Sequence, residues 1–205
     1  MNAFRSRFSR CMSALMGVAL AVLTIVCSGQ ELKCGPPQSK KALVSALIGK
    51  SAQGLPWAVK DHPARIYLVS FVQLVPDTAR TASRTQALSL SSMAHQYPGS
   101  VSILVDASVL KTSRRPDTTD LLNAWYDWSL DDTIVLTDPS GRIRQTFGAC
   151  MVPETFLLRS DGTVLEHWSD LVPTGMLALA VERALPDEAA ALHASHVKKK
   201  PTSLQ

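Results

Sequence analysis

Two apolar runs separated by one helix-length segment decide what this chain can fold into. Ile66 to Val72 reads IYLVSFV, nearly continuous and rich in β-branched and aromatic residues, the pattern of a strand covered on both faces. Val101 to Val105 reads VSILV and is a second such strand. Between them, Pro76 and Asp77 suit a helix start, and Ala87, Leu90, Met93, Ala94 and Tyr97 recur at helical spacing until Pro98 and Gly99 end the segment. Strands joined through a helix in this way run parallel, because parallel neighbours need a crossover connection. The expectation is an α/β chain built around a βαβ unit.

The flanking sequence extends that unit. Ser39 to Ile48 puts Leu43, Val44, Leu47 and Ile48 on one face and stops at Gly49, a short amphipathic helix, after which Gly54, Pro56 and Pro63 mark a loop. A loop from Ser108 to Pro116 leads to a helix from Thr118 to Trp128, whose apolar face is Leu121, Leu122 and Trp125. Thr133 to Thr137 is a strand, Asp138 to Gly141 a tight turn, and Arg142 to Phe147 alternates polar with apolar residues. Thr155 to Leu158 and Thr163 to Trp168 form a hairpin through Ser160, Asp161 and Gly162, since an Asp-Gly turn tolerates the positive φ required. Thr174 to Leu185 is the last helix. With 205 residues, 46% of them hydrophobic, and no repeat or interior linker, the body reads as one domain.

The net charge of +4 suggests a nucleic-acid or membrane partner only if the basic residues gather on the folded part. They do not. Arg5, Arg7 and Arg10 precede the uncharged run Met12 to Val26, followed by the small residues Cys27, Ser28 and Gly29. That is the layout of a secretory signal peptide with cleavage near Gly29; an uncleaved membrane anchor and a lipoprotein site at Cys27 are the other readings. Removing this segment leaves 18 basic residues against 17 acidic. Setting aside Lys198, Lys199 and Lys200, in a tail with no core-forming pattern, leaves 15 against 17. Nucleic acid is therefore excluded as a partner class, and contact with a membrane is confined to the N-terminal segment. The segments expected are residues 1–29 as signal or anchor, 30–61 as helix and loop, 62–186 as the folded domain and 187–205 as a flexible basic tail.

The four cysteines, at positions 11, 27, 34 and 150, lack the paired short spacings of a zinc site. His95, His167 and the pair His193 and His196 have no metal-partner pattern beyond the tail's His-x-x-His. Trp125, Tyr126 and Trp128 read as core at helical spacing, Trp125 above all, rather than as an aromatic binding surface. The sequence holds no glycine-rich phosphate loop, no His-Glu-x-x-His and no nucleophile elbow, which counts against nucleotide enzymes and hydrolases. No cofactor or metal is called for.

The string Thr133 to Gly148, followed by Val152-Pro153-Glu154-Thr155-Phe156 and by Asp161-Gly162, resembles the C-terminal half of TlpA/ResA-type and AhpC/TSA-type redoxins, with their aromatic-Gly step, Val-Pro-x-Thr-Phe motif and Asp-Gly hairpin. The resemblance covers about residues 62–186. It implies a thioredoxin-like fold, a central mixed β-sheet flanked by helices, behind an N-terminal signal or anchor helix. It also implies that Pro153 is a cis-proline in a loop, Val152 to Glu154, beside the active site, where an extended polypeptide can hydrogen-bond. Glu154 stands where such families often carry a small polar residue; it reads as a solvent-facing strand residue, with a carboxylate on the site face as the other reading.

The family's chemistry belongs after the first central strand, where Cys-x-x-Cys opens a helix whose N-terminus stabilises a thiolate. Here Val75, Pro76, Asp77, Thr78, Ala79 and Arg80 occupy that place in every register, and none is a cysteine. A threonine hydroxyl neither ionises at neutral pH nor forms a disulfide, so Thr78 and Thr81 are no substitute. Cys150, three residues before Pro153, is the remaining chemical candidate. In an exported chain it pairs with Cys34 in a structural disulfide, or both stay free and buried; a catalytic role ranks below either. The function expected is an exported redoxin-type protein without its redox pair, binding a polypeptide or acting as a scaffold. The alternative is a thiol-disulfide oxidoreductase or peroxiredoxin-like enzyme that uses Cys150 with Cys34 or a partner's thiol.

Overall fold

Strand β3, Ile66–Val72, is buried at all seven positions, and its two faces feed two separate cores. Ile66, Leu68 and Val72 point into one, Tyr67, Val69 and Phe71 into the other, the period-2 alternation of a strand with helices above and below it. The computed structural model describes residues 35–74, 80–97, 99–107 and 118–197. In chain order these form α1 (Lys40–Ala46), β1 (Ile48–Lys50), β2 (Pro56–Ala58), a 3-10 turn (Val59–Asp61), β3, α2 (Arg80–Gln96), β4 (Ser100–Asp106), α3 (Thr118–Asp127), β5 (Ile134–Thr137), α4 (Arg142–Phe147), β6 (Glu154–Arg159), β7 (Val164–Trp168) and α5 (Thr174–Val197).

The main sheet has the order β5-β4-β3-β6-β7. β3 runs parallel to β4 and β4 to β5, while β6 is antiparallel to β3 and β7. The mixed sheet thus follows from the βαβ crossover on one side and the hairpin on the other. One core gathers Ala87, Leu90 and Met93 of α2, Leu121 and Ala124 of α3, and Leu177, Val181 and Ala184 of α5. The other gathers Leu43 of α1, Ile143 and Phe147 of α4, and Trp57. There Phe71, Phe147 and Phe156 meet edge to face, with centroids 5.2 to 6.0 Å apart.

Four segments depart from the sequence expectation. The first helix stops at Ala46, and Ile48–Lys50 instead forms a small hairpin with Pro56–Ala58, so Gly49 lies in a strand and part of the expected loop is β2. That hairpin leads to the outer edge of β5, where Ser51 bridges Leu136 and the Ala52 amide donates to the Val135 carbonyl at 2.9 Å. The alternating stretch Arg142 to Phe147 is helix α4, bounded by Gly141 and Gly148, each at φ 68°. Ile143 and Phe147 are four apart and both buried, whereas Gln145, which strand alternation would put on their face, is exposed. The last helix continues past Pro186 to Val197, so residues 187–197, expected in a loose tail, are helical; the alanine-rich stretch from Ala189 favours helix strongly enough to carry the proline. Trp128 is the fully buried tryptophan of α3's end, while Trp125 is partly buried and donates its ring N–H to the Leu130 carbonyl at 2.9 Å.

Among the described residues no helix is long and apolar enough to cross a membrane, and no cluster of His, Cys, Asp and Glu could hold a metal ion. The signal or anchor segment and the last eight residues lie outside the described residues.

Candidate functional site

The loop between α4 and β6 sits at the end of β3, where parallel strands of an α/β sheet present their carboxyl ends. Gly148 closes α4 in the left-handed region, its amide donating back to Gln145 at 3.1 Å, and the chain turns through Ala149, Cys150 and Met151 before β6 begins. The Val152–Pro153 peptide bond is cis. On the neighbouring strand ends, the Leu74 amide donates to Asp106 Oδ1 at 3.3 Å, and the Gln73 amide to Ser83 Oγ at 3.0 Å.

Two buried side chains of opposite charge hold this loop. Arg144, 4% exposed, donates from Nε to the Ala149 carbonyl at 2.9 Å and from Nη2 to the Cys150 carbonyl at 2.7 Å. Glu154, equally buried, accepts from the Cys150 amide at 2.6 Å and the Met151 amide at 2.8 Å, both on Oε2. The guanidinium thus takes the loop's carbonyls and the carboxylate its amides, each a charge-assisted bond. Glu154 Oε1 accepts from the His167 ring N–H at 2.7 Å, and His167 stacks flat on Phe156 at 4.3 Å. Burial lowers the pKa of Arg144 below that of an ordinary guanidinium, while Glu154 and Asp138 act in the opposite direction. Asp138 also fixes the helix that carries Arg144, accepting from its amide at 2.9 Å.

Glu154 is therefore not the solvent-facing residue expected. It shares a strand face with Phe156 and Leu158, both in the core against α4, so the period-2 rule already sends it inward. Arg144 and the contact to His167 were missed because an arginine in a short alternating stretch carries no signal of burial.

Cys150 is disulfide-bonded, and its partner lies outside the described residues. Its Sγ is 3.4 Å from the Gly148 carbonyl oxygen, a contact rather than a hydrogen bond because a disulfide sulfur has no proton. Met151 is 56% exposed, Val152 is half-buried and Pro153 is buried. Among the described residues the Val152 backbone makes no hydrogen bond. Val75, Pro76, Asp77, Thr78 and Ala79 lie outside the described residues, and so does Cys34; Arg80 is the first residue of α2. The structure thus brings Cys150, Val152, Pro153 and Glu154 together at the end of β3.

No protein-family model and no curated protein matches the chain by sequence. Solved structures do match by shape. A secreted disulfide oxidoreductase of Mycobacterium tuberculosis, homologous to E. coli DsbE, superposes with a TM-score of 0.56 at 16% identity, over 71% of this chain and 99% of that one. The exposed lipoprotein thioredoxin Etrx1 of Streptococcus pneumoniae gives 0.52 at 13% identity, over 66% and 97%. The bacterioferritin comigratory protein of Xanthomonas campestris, described for alkyl peroxide reduction, gives 0.54 at 17%, over 76% and 99%. With the strand order above, these likenesses show that the chain has a thioredoxin-like fold.

Proposed function

We propose that this chain is an exported, non-catalytic member of the redoxin type that binds extended polypeptide at the loop before β6. One observation carries the reading. Arg144 and Glu154 fix the loop so that Met151 is exposed beside Val152, whose backbone donor and acceptor have no partner among the described residues. An extended segment laid along that edge would gain main-chain hydrogen bonds there and an apolar contact with Met151. Oxidoreductase chemistry has less support, because residues 75 to 80, where the motif of such enzymes would stand, hold no sulfur. Export is supported by Arg5, Arg7 and Arg10 ahead of the apolar run, and the similar Mycobacterium tuberculosis protein is secreted.

The Cys150 disulfide favours a second reading, a thiol-disulfide oxidoreductase or peroxidase that cycles Cys150 with Cys34 or with a partner's thiol. Fold does not decide between them. Fluorescence anisotropy with labelled, carboxymethylated insulin B chain tests the first. Binding is expected, weakened severalfold by Met151→Glu, with no insulin-disulfide reduction and no peroxide consumption. Absence of binding refutes the polypeptide reading, and turnover that disappears in Cys150→Ser establishes the second.

A further inference from the structure

The Cys150 disulfide is unassigned at its other end, and the backbone around Gly148 indicates where that end lies. The segment that enters the described residues at Gly35 runs directly against the loop. A methyl group on Gly148 would overlap the Gly35 carbonyl and come within 3.2 Å of the Pro36 carbonyl carbon. Two residues on, the Gln38 amide donates to the Thr146 carbonyl at 3.0 Å. The N-terminal segment is thus packed on residues 146–148, and Cys150 is two residues beyond.

We propose that Cys34 is the partner of Cys150, and that the bridge latches the N-terminal segment across the end of α4. Cys34 adjoins Gly35, and successive Cα atoms are about 3.8 Å apart, so it starts within a step of Gly148; a disulfide spans roughly 4.4 to 6.8 Å between Cα atoms. Cys27 stands seven residues before Cys34 and Cys11 twenty-three, both in the stretch laid out as an export signal or anchor. Formation is a thiol-disulfide exchange. The Cys34 and Cys150 thiols give up two protons and two electrons to a protein disulfide of an extracytoplasmic oxidant, which leaves as a dithiol. On this assignment the chain is a client of disulfide chemistry, its bridge placed at the loop before β6. The assignment stands whether or not the loop binds polypeptide.

Peptide mapping of the exported protein tests it directly. The chain is denatured with free thiols blocked and digested with trypsin without reductant. Cleavage after Lys33, Lys40, Arg144 and Arg159 separates peptide 34–40 from peptide 145–159. The expected product is these two joined, two hydrogens lighter than their sum, and released by reductant. Peptide 145–159 joined to a second copy of itself, or, where the N-terminal segment is retained, to peptide 11–33 with both other cysteines, overturns the assignment. So does recovery of 34–40 and 145–159 each with a blocked thiol. In native Cys34→Ser, Cys150 is expected to become labelled by a maleimide that leaves the untreated wild type unlabelled; an unlabelled Cys150 in that variant would equally refute the pairing.

Discussion

Replacing Glu154 by alanine removes one carboxylate and exposes how much of the site depends on it. Three bonds go together: those from the amides of Cys150 and Met151 and that from His167. The two amides are left without their acceptor, and the buried guanidinium of Arg144 loses one of the two carboxylates that offset its desolvation. Each hydrogen bond to a charged group is worth about 1.5 to 3 kcal/mol, and removing one partner of a buried charge pair costs about 3 to 5 kcal/mol. These effects overlap in the same atoms, so the expected loss is about 3 to 5 kcal/mol rather than their sum. Glu154→Gln keeps an oxygen for both amides and turns its NH2 toward His167, losing chiefly the charge opposite Arg144, for about 1 to 2 kcal/mol. Urea unfolding followed by tryptophan fluorescence measures both. Combining Glu154→Ala with Arg144→Met, which removes the stranded charge, is expected to cost at least about 1 kcal/mol less than the two single changes together. An alanine variant within about 1 kcal/mol of wild type, or a strictly additive double variant, would refute the two-charge account of the loop.

Gly141 and Gly148 share φ 68°, yet only Gly148 has backbone against it, so Gly141→Ala is expected to cost about 1 to 2 kcal/mol and Gly148→Ala clearly more in urea midpoints; equal losses would mean that the Gly35 segment does not press on α4. For a bridge from Cys34 to Cys150 the entropic model gives about 4 to 5 kcal/mol, a melting temperature roughly 8 to 20 °C lower in Cys34→Ser, with the same drop in Cys150→Ser. A variant that melts with wild type would contradict it. The exposed Asp161 carboxylate is held below the usual aspartate pKa, first by the Thr163 hydroxyl at 2.6 Å, then by the Thr163 amide and Lys40. Its depressed folded value means a small stabilisation, present above the unfolded pKa and lost as pH falls through the folded one. Thr163→Val is expected to move its NMR titration upward, and an unmoved curve would assign the shift elsewhere.

The sheet was legible because its strands are long apolar runs whose neighbours are fixed by connection length, as with Ile66–Val72 and the crossover through α2. The site was legible only where a local motif marks it. Val152 and Pro153 stood out from their string, and Glu154 was visible in it but assigned to solvent, because its identity outweighed its register with Phe156 and Leu158. Arg144 was invisible for a different reason. Its role arises from carbonyls five and six residues later in a loop that only the folded chain brings round to it. The helix α4 was obscured because Ile143 and Phe147 satisfy both a helical and an alternating pattern over six residues.

The two outer strands of the sheet differ in what they offer to another chain. Ser51 and Ala52 occupy the free side of β5, so its ladder is already satisfied from within. The far side of β7 has no such cover among the described residues, and an uncovered edge is where chains pair into aggregates. Two features blunt it. The β6–β7 register shifts at Leu157 and Leu158, a bulge that twists the hairpin out of flatness, and Glu166 puts a charged group on the edge strand. Any chain passes, as it folds, through states in which its strands are unpaired. Guarding the β7 edge therefore matters most while the chain is folding, before the sheet is complete.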